Sequence, residues 1–348
     1  MPSRPSGHLL SFIPSPSTDG FHIGPLFIHY YGLMYVVGIT AAIIITRRRW
    51  RAMGGNPDLV GDVAIWAVPA GIIGGRIYFD ITTPNDIPHV WYGVFAVWTG
   101  GLGIWGGILG GALAGIWRLK RAGVNPGLFA NAIAPALLVA QAIGRVGNYF
   151  NQELFGKPTT LPWALEISLA HRPSGYLGYS TFQPSFLYEL IFDLAWAGVL
   201  VWIGHRWRIR PWGLFALYVA GYSGYRIFEE TIRIDSSEHI FGMRLNFWVA
   251  LIMTLVGIAW FVSSQRREGG PLRVAGPDAD PGDQAGVAGL AGQVGLAGPG
   301  QPATALAARP GSVASDLTEL DSADLAGDGQ PARGQHDTAD ADRASPGG

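Results

Sequence analysis

The chain has 348 residues, of which 49% are hydrophobic and 14% charged, with no cysteine and a net charge of −1. Soluble domains carry about 25% charged residues, so this composition excludes an ordinary soluble enzyme, and it offers no basic surplus for nucleic acid. Without cysteine there is no disulfide framework, thiolate metal site or cysteine nucleophile in the chain itself, although thiol chemistry on a partner's cysteine stays open.

Residues 1–20 form an N-terminal extension rich in Pro and Ser, and its apolar piece Leu9 to Ile13 is too short for a signal-peptide core. Apolar runs then follow near 26–46, 59–82, 92–117, 127–147, 186–205, 212–228 and 246–264. Each is close to the ~20 residues that cross a ~30 Å hydrocarbon layer. Backbone at that depth must be helical, because lipid offers no hydrogen-bond partners. The expectation is an all-α integral membrane bundle of about seven transmembrane helices over residues 21–265.

Arg47, Arg48, Arg49 and Arg51 follow the first run, Arg118, Lys120 and Arg121 the third, Arg206, Arg208 and Arg210 the fifth, and Arg266 and Arg267 the seventh. The positive-inside rule makes those ends cytoplasmic, so the N-terminus lies outside and the C-terminus inside. Two longer loops, about 150–185 and about 229–245, then lie outside. Residues 1–265 hold 18 Lys and Arg against 13 Asp and Glu, whereas residues 266–348 hold 6 against 12. That acidic Ala/Gly/Pro-rich tail has no apolar period and is expected to be disordered.

Three arginines fall in or at the edge of spans: Arg76, Arg145 and Arg226. Placing a charge near the bilayer centre costs about 2.5–3.5 kcal/mol on insertion scales, which makes function the default reading. Snorkelling or a structural ion pair is the bland alternative. Arg145 lies in Gly144-Arg-Val-Gly-Asn-Tyr-Phe-Asn-Gln-Glu-Leu-Phe-Gly156, where Arg145 and Asn148 share a helical face. A guanidinium beside a carboxamide suits a phosphodiester. Tyr222, Arg226, Glu230 and Arg233 form one stripe on the sixth run. That stripe reads equally as a structural ion-pair ladder or as an anion site in which Glu230 positions an arginine. Half the positions between Gly100 and Gly115 are glycine, which points to close helix packing or a bent segment. Tyr31 opens the first run, and Glu189, in Pro184-Ser-Phe-Leu-Tyr-Glu189, is a candidate partner for a buried arginine.

In that order, the stretch at Tyr31, Gly74-Gly-Arg76, Gly144–Gly156, Pro184–Glu189 and the Tyr222/Arg226 pair resemble the prolipoprotein diacylglyceryl transferase family over about residues 21–264. The resemblance implies a multi-pass enzyme of the bacterial plasma (inner) membrane with no cofactor and no metal. Its substrates would be phosphatidylglycerol and a prolipoprotein signal peptide whose lipobox cysteine is presented at the outer face of the lipid bilayer. The thiol would attack the diacylglyceryl carbon, a thioether would form and glycerol phosphate would leave. Arg145, Asn148, Tyr31, Asn151, Gly156 and Arg76 would bind the phospholipid, and Arg226, Arg145, Tyr222 and Glu230 would carry the chemistry. Many relatives carry His where this chain has Trp105 and Gln183. The base is then open among Glu230, Glu153, His29 and a thiolate formed by electrostatics alone.

Two other classes fit parts of the pattern. A transporter or flippase with a midplane anion site would also bury arginines among glycine-rich helices, but no second copy of the Gly144–Gly156 pattern occurs. A metal-dependent phospholipid synthase would need clustered aspartates, whereas Asp80 and Asp193 are scattered.

Overall fold

A computed structural model describes residues 12–235 and 237–266. The expected disordered tail and residues 1–11 of the extension lie outside the described residues. Seven α-helices occur among them: α1 (Tyr30–Ala52), α2 (Asp58–Thr82), α3 (Ile104–Arg121), α4 (Pro126–Asn151), α5 (Ser185–Arg206), α6 (Gly213–Ile232) and α7 (Leu245–Arg266). Seven short strands decorate them: β1 (Phe12–Ile13), β2 (Gly20–Ile23), β3 (Leu26–His29), β4 (Ala164–Glu166), β5 (Thr181–Phe182), β6 (His239–Ile240) and β7 (Met243–Arg244).

Five helices, α1, α2, α4, α5 and α7, are long and apolar enough to cross a membrane. Their apolar side chains are largely exposed, among them Val36, Ile44, Ile73, Ile77, Ile252 and Leu255. Such a continuous apolar exterior is intolerable in water and natural in lipid. The chain is therefore a multi-pass membrane protein. In α3 and α6 the apolar character is diluted, by three basic residues in the last turn of α3 and by Arg226, Glu229 and Glu230 in α6.

The central helix is α4, whose small residues Ala130, Ala132, Ala134 and Ala136 are buried and let α1, α5 and α6 close around it. It starts cleanly because Asn125 caps it, accepting a 2.8 Å bond from the Gly127 amide, and Pro126 needs no amide partner at the first position. Helices α2 and α3 form a second pair, and α6 packs on α7. At the α2–α3 seam the backbones touch: a Cβ on Gly106 would run into the Gly74 carbonyl and the Tyr78 side chain.

The third apolar run differs from its sequence outline. Helix begins only at Ile104, and before it come three short 3-10 turns, Pro84–Asp86, Gly93–Phe95 and Val97–Thr99. The cause is local: Gly100 and Gly101 take φ of 89° and 78°, outside the helical region, and the loop's carbonyls are claimed by Arg76.

The loop between α4 and α5 folds into a small head. There β4 pairs with β1 in parallel and with β5 in antiparallel fashion, over a core of Phe155, Leu165, Ile167 and Phe182. The N-terminal extension thus joins the body, since Phe12 and Ile13 pair with Ala164 and Leu165. Gln152 ties the parts together: its Oε1 accepts from the Ser168 amide (2.8 Å) and the Ser15 hydroxyl (3.3 Å).

Candidate active site

The Arg145 end of α4 meets the starts of α1 and α5 and the end of α6, and the charged residues of those elements converge there. Glu189 is the hub. It sits one turn into α5, fully buried, where the Pro184–Ser185 start of that helix directs it inward. Arg145 Nε lies 3.1 Å from its Oε2, a charge contact without hydrogen-bond alignment. Arg226 Nη1 lies 3.8 Å from the same oxygen, and the Tyr222 hydroxyl donates to Oε1 at 2.8 Å. Two arginines on different helices therefore share one carboxylate.

Around Arg226 the compensation is dense. Its Nη1 donates to Glu229 Oε2 at 2.6 Å and its Nη2 to Glu230 Oε1. Glu230 is further held by Arg244 Nε at 2.8 Å, and Arg233 Nη1 stands 3.9 Å away. Arg233 and Arg244 both also hold Asp235, at 2.7 and 2.9 Å. Partial burial pushes the Asp235 carboxyl up, but the hydrogen bonds and charges of Arg233 and Arg244 outweigh it and hold the group below its ordinary value.

Arg145 is less saturated. Its Nη1 donates to Asn148 Oδ1 at 3.1 Å, and its Nη2 has no partner among the described residues. Asn148 passes the link on, donating from Nδ2 to Glu153 Oε1 at 2.7 Å; Asn151 donates to that oxygen at 3.2 Å. Both arginines keep contact with the surroundings, with side chains 21% and 18% exposed for Arg145 and Arg226. This set can hold an anion at the two partly exposed arginines and withdraw charge into a buried network.

Of the residues singled out by sequence, Arg145, Asn148, Tyr222, Arg226 and Glu230 come together here, with Asn151 at the edge. Tyr31 lies over Gly147, where a Cβ would stand 2.6 Å from its ring, and its hydroxyl meets Tyr35 at 3.0 Å. Gly156 is a crossing point: it bridges to Arg233, its amide donates to the Gln183 carbonyl at 2.9 Å, and a Cβ would press on Gln183 and the Ile232 carbonyl. Gln183 also accepts from the Tyr188 hydroxyl at 3.0 Å. Trp105 is exposed in the first turn of α3.

Arg76 is not part of this constellation. It donates to the carbonyls of Gly93 (2.5 Å), Gly100 (2.8 Å), Val94 (3.0 Å) and Gly101 (3.3 Å), and its Nε lies 3.1 Å from Asp80. No contact among the described residues joins it to Arg145 or Arg226.

Sequence reasoning passed over Glu229, Asp235 and Arg244. Glu229 was legible as an acid three residues from a buried arginine, on a neighbouring face. Arg244 carried no such signal, because its pairing with Glu230 depends on how the β6–β7 hairpin returns the chain to α7.

Residues 19–263 match the family model described as prolipoprotein diacylglyceryl transferase. A phosphatidylglycerol–prolipoprotein diacylglyceryl transferase of Cutibacterium acnes is 48% identical over 261 residues, covering 74% of this chain and 88% of the relative. The enzyme of that name from Frankia alni is 45% identical over 276 residues (78% and 71%), and one from Streptomyces coelicolor 41% over 273 residues (76% and 85%).

Proposed function

The chain belongs to the prolipoprotein diacylglyceryl transferase family, and from that premise we propose how its own residues perform the reaction. It is a transferase that moves the diacylglyceryl group from phosphatidylglycerol to a prolipoprotein. The finer reading is that all seven helices cross the bacterial plasma membrane, with the basic helix ends in the cytoplasm and the Arg145 end at the outer leaflet. The four basic clusters support that orientation. The acceptor is then a lipobox cysteine presented beside the bundle, and the product is a thioether.

The observation that carries this reading is the meeting of Arg145 and Arg226 on Glu189. Phosphatidylglycerol offers a phosphodiester anion, and the leaving glycerol phosphate gains charge as its C–O bond breaks. Arg145, whose Nη2 is free of protein partners among the described residues, receives the phosphate. Arg226 flanks the reacting carbon and stabilises charge as it develops, in a site that excludes bulk water and so strengthens the attraction. Glu189, Glu229 and Glu230 fix the two guanidinium planes beforehand, so little reorganisation is left for the reaction itself. Tyr222 orients Glu189 through its hydroxyl. Asn148 orients Arg145, Tyr31 and Asn151 line the lipid side, and Gly156 lets the head cross close to α6. Arg76 fixes the 93–101 loop.

The test is incubation of the purified protein with phosphatidylglycerol and a lipobox peptide, followed by mass analysis of the cysteine. The native protein should add the mass of a diacylglyceryl group. Arg145→Ala should insert normally and lose transfer by about 10²–10³-fold, the cost of removing one charge-stabilising donor. Full activity in Arg145→Ala would remove the headgroup assignment.

A further inference from the structure

The thiol must lose its proton to react well, and the base has to come from the chain's own groups at the reacting end. Most carboxylates near the reacting end are already committed. Glu189, Glu229 and Glu230 each face a guanidinium. Asp193 is fully buried one turn below Glu189, out of reach of a substrate thiol. His29 is exposed, its Nδ1 stands 3.3 Å from Asp19, and no contact among the described residues joins it to Arg145 or Arg226.

Glu153 differs from all of these. No guanidinium or ammonium pairs with it among the described residues. Its Oε1 accepts from the carboxamides of Asn148 and Asn151, and its Oε2 takes no hydrogen bond or ion pair from any described residue. It is only half-buried. The backbone also points to a purpose. The residues on either side, Gln152 and Leu154, hold φ of 50° and 57° although neither is glycine. Such conformations cost on the order of 1 kcal/mol each and cluster where geometry serves function. Their effect is to fold the chain back at the end of α4, so that the Glu153 amide donates to the Asn148 carbonyl at 3.1 Å and the side chain returns over the last turn. Glu153 thereby stands one carboxamide away from Arg145. The titratable neighbours are Tyr31 of α1, with Tyr35 behind it, and Arg145 of α4 through Asn148.

We propose that Glu153 is the general base of this chain and that its Oε2 takes the proton of the substrate thiol. This rests on the site assignment above. The S–H proton passes to Oε2, and the sulfur pair forms the C–S bond to the glyceryl carbon. The C–O bond to phosphate breaks with its electron pair staying on the phosphate oxygen. Glu153 then gives the proton to the departing phosphate, which restores the carboxylate. Asn148 couples the steps, because one amide holds both the phosphate-binding arginine and the base.

Glu153→Gln is the test, since it keeps the Oε1 acceptor for both asparagines. At pH 7 its transfer rate to a lipobox peptide should fall by about 10²-fold or more. A free thiol of pKa ≈ 8.5 is only a few per cent ionised there, and its thiolate fraction rises about thirtyfold by pH 10. The native-to-variant rate ratio should therefore shrink by about tenfold or more from pH 7 to pH 10. Glu153→Asp, which keeps a carboxylate, should retain the native shape of the pH profile. Native activity in Glu153→Gln at pH 7, a deficit that does not shrink with pH, or an Asp variant that behaves like Gln overturns the assignment. None of these outcomes touches the headgroup reading, which stands or falls on Arg145→Ala.

Discussion

Arg76 and Arg145 look alike in the sequence, each a lone arginine beside glycines in an apolar run, and the molecule treats them in opposite ways. Arg76 spends its donors on four loop carbonyls and faces Asp80, with its side chain only 5% exposed. Arg145 makes one hydrogen bond to Asn148 and one unaligned contact to Glu189, and remains open on one side. A guanidinium has five N–H donors in a fixed fork. Where backbone uses up the fork, the residue is a staple for a loop. Where the fork is left partly open beside a second arginine, it is a receptor for an anion.

The contrast can be broken by replacing both residues. Arg145→Ala should have the largest effect on transfer, as stated above, and a smaller effect on thermal stability in detergent micelles than Arg76→Gln, because Glu189 keeps Arg226 and Tyr222. Arg76→Gln should do the reverse. It leaves Asp80 and the 93–101 carbonyls short of donors, so stability should drop by about 3–5 kcal/mol. The transfer rate per folded molecule should stay within about threefold of native, as for a residue acting only on stability. A large loss of transfer in folded Arg76→Gln would show that Arg76 does touch the lipid.

A smaller effect is expected at the seam that Arg76 guards. Gly106→Ala should destabilise the α2–α3 pair by about 1–3 kcal/mol through overpacking against the Gly74 carbonyl and Tyr78. A neutral result there would mean that the two helices can separate freely, and that the seam does not hold the loop. Thermal unfolding followed by circular dichroism reads it.

The smallest effect concerns the charge ladder on the receptor side. The folded-state value of Asp235 lies below the unfolded one, so its contribution to stability is complete well above about pH 4 and disappears as pH falls through the lower folded value. Asp235→Asn should lower the melting temperature by a few degrees at pH 7 and converge with the native protein once the pH falls below the lowered folded value. A difference that persists unchanged in acid would mean that Asp235 acts through packing rather than through Arg233 and Arg244.

Most of the architecture was legible because lipid leaves the chain little choice. Six of the seven apolar runs became helices close to their outlines, and the third was shortened by two left-handed glycines and the demands of Arg76. The pairing of Arg145 with Asn148, three residues apart on one helix, was equally legible. Glu189 was legible as a partner for a buried arginine, but its sharing by Arg145, Arg226 and Tyr222 was not, since it depends on three helices meeting at one depth.

The sequence alone determined the solvent, the helices and the residue types capable of gripping a phosphate, because hydropathy and helical spacing are local properties. Only the tertiary structure decided which guanidinium is spent on backbone and which carboxylate lacks a cation. Those are questions of who reaches whom across helices, and side chains far apart in the chain settle them by distance.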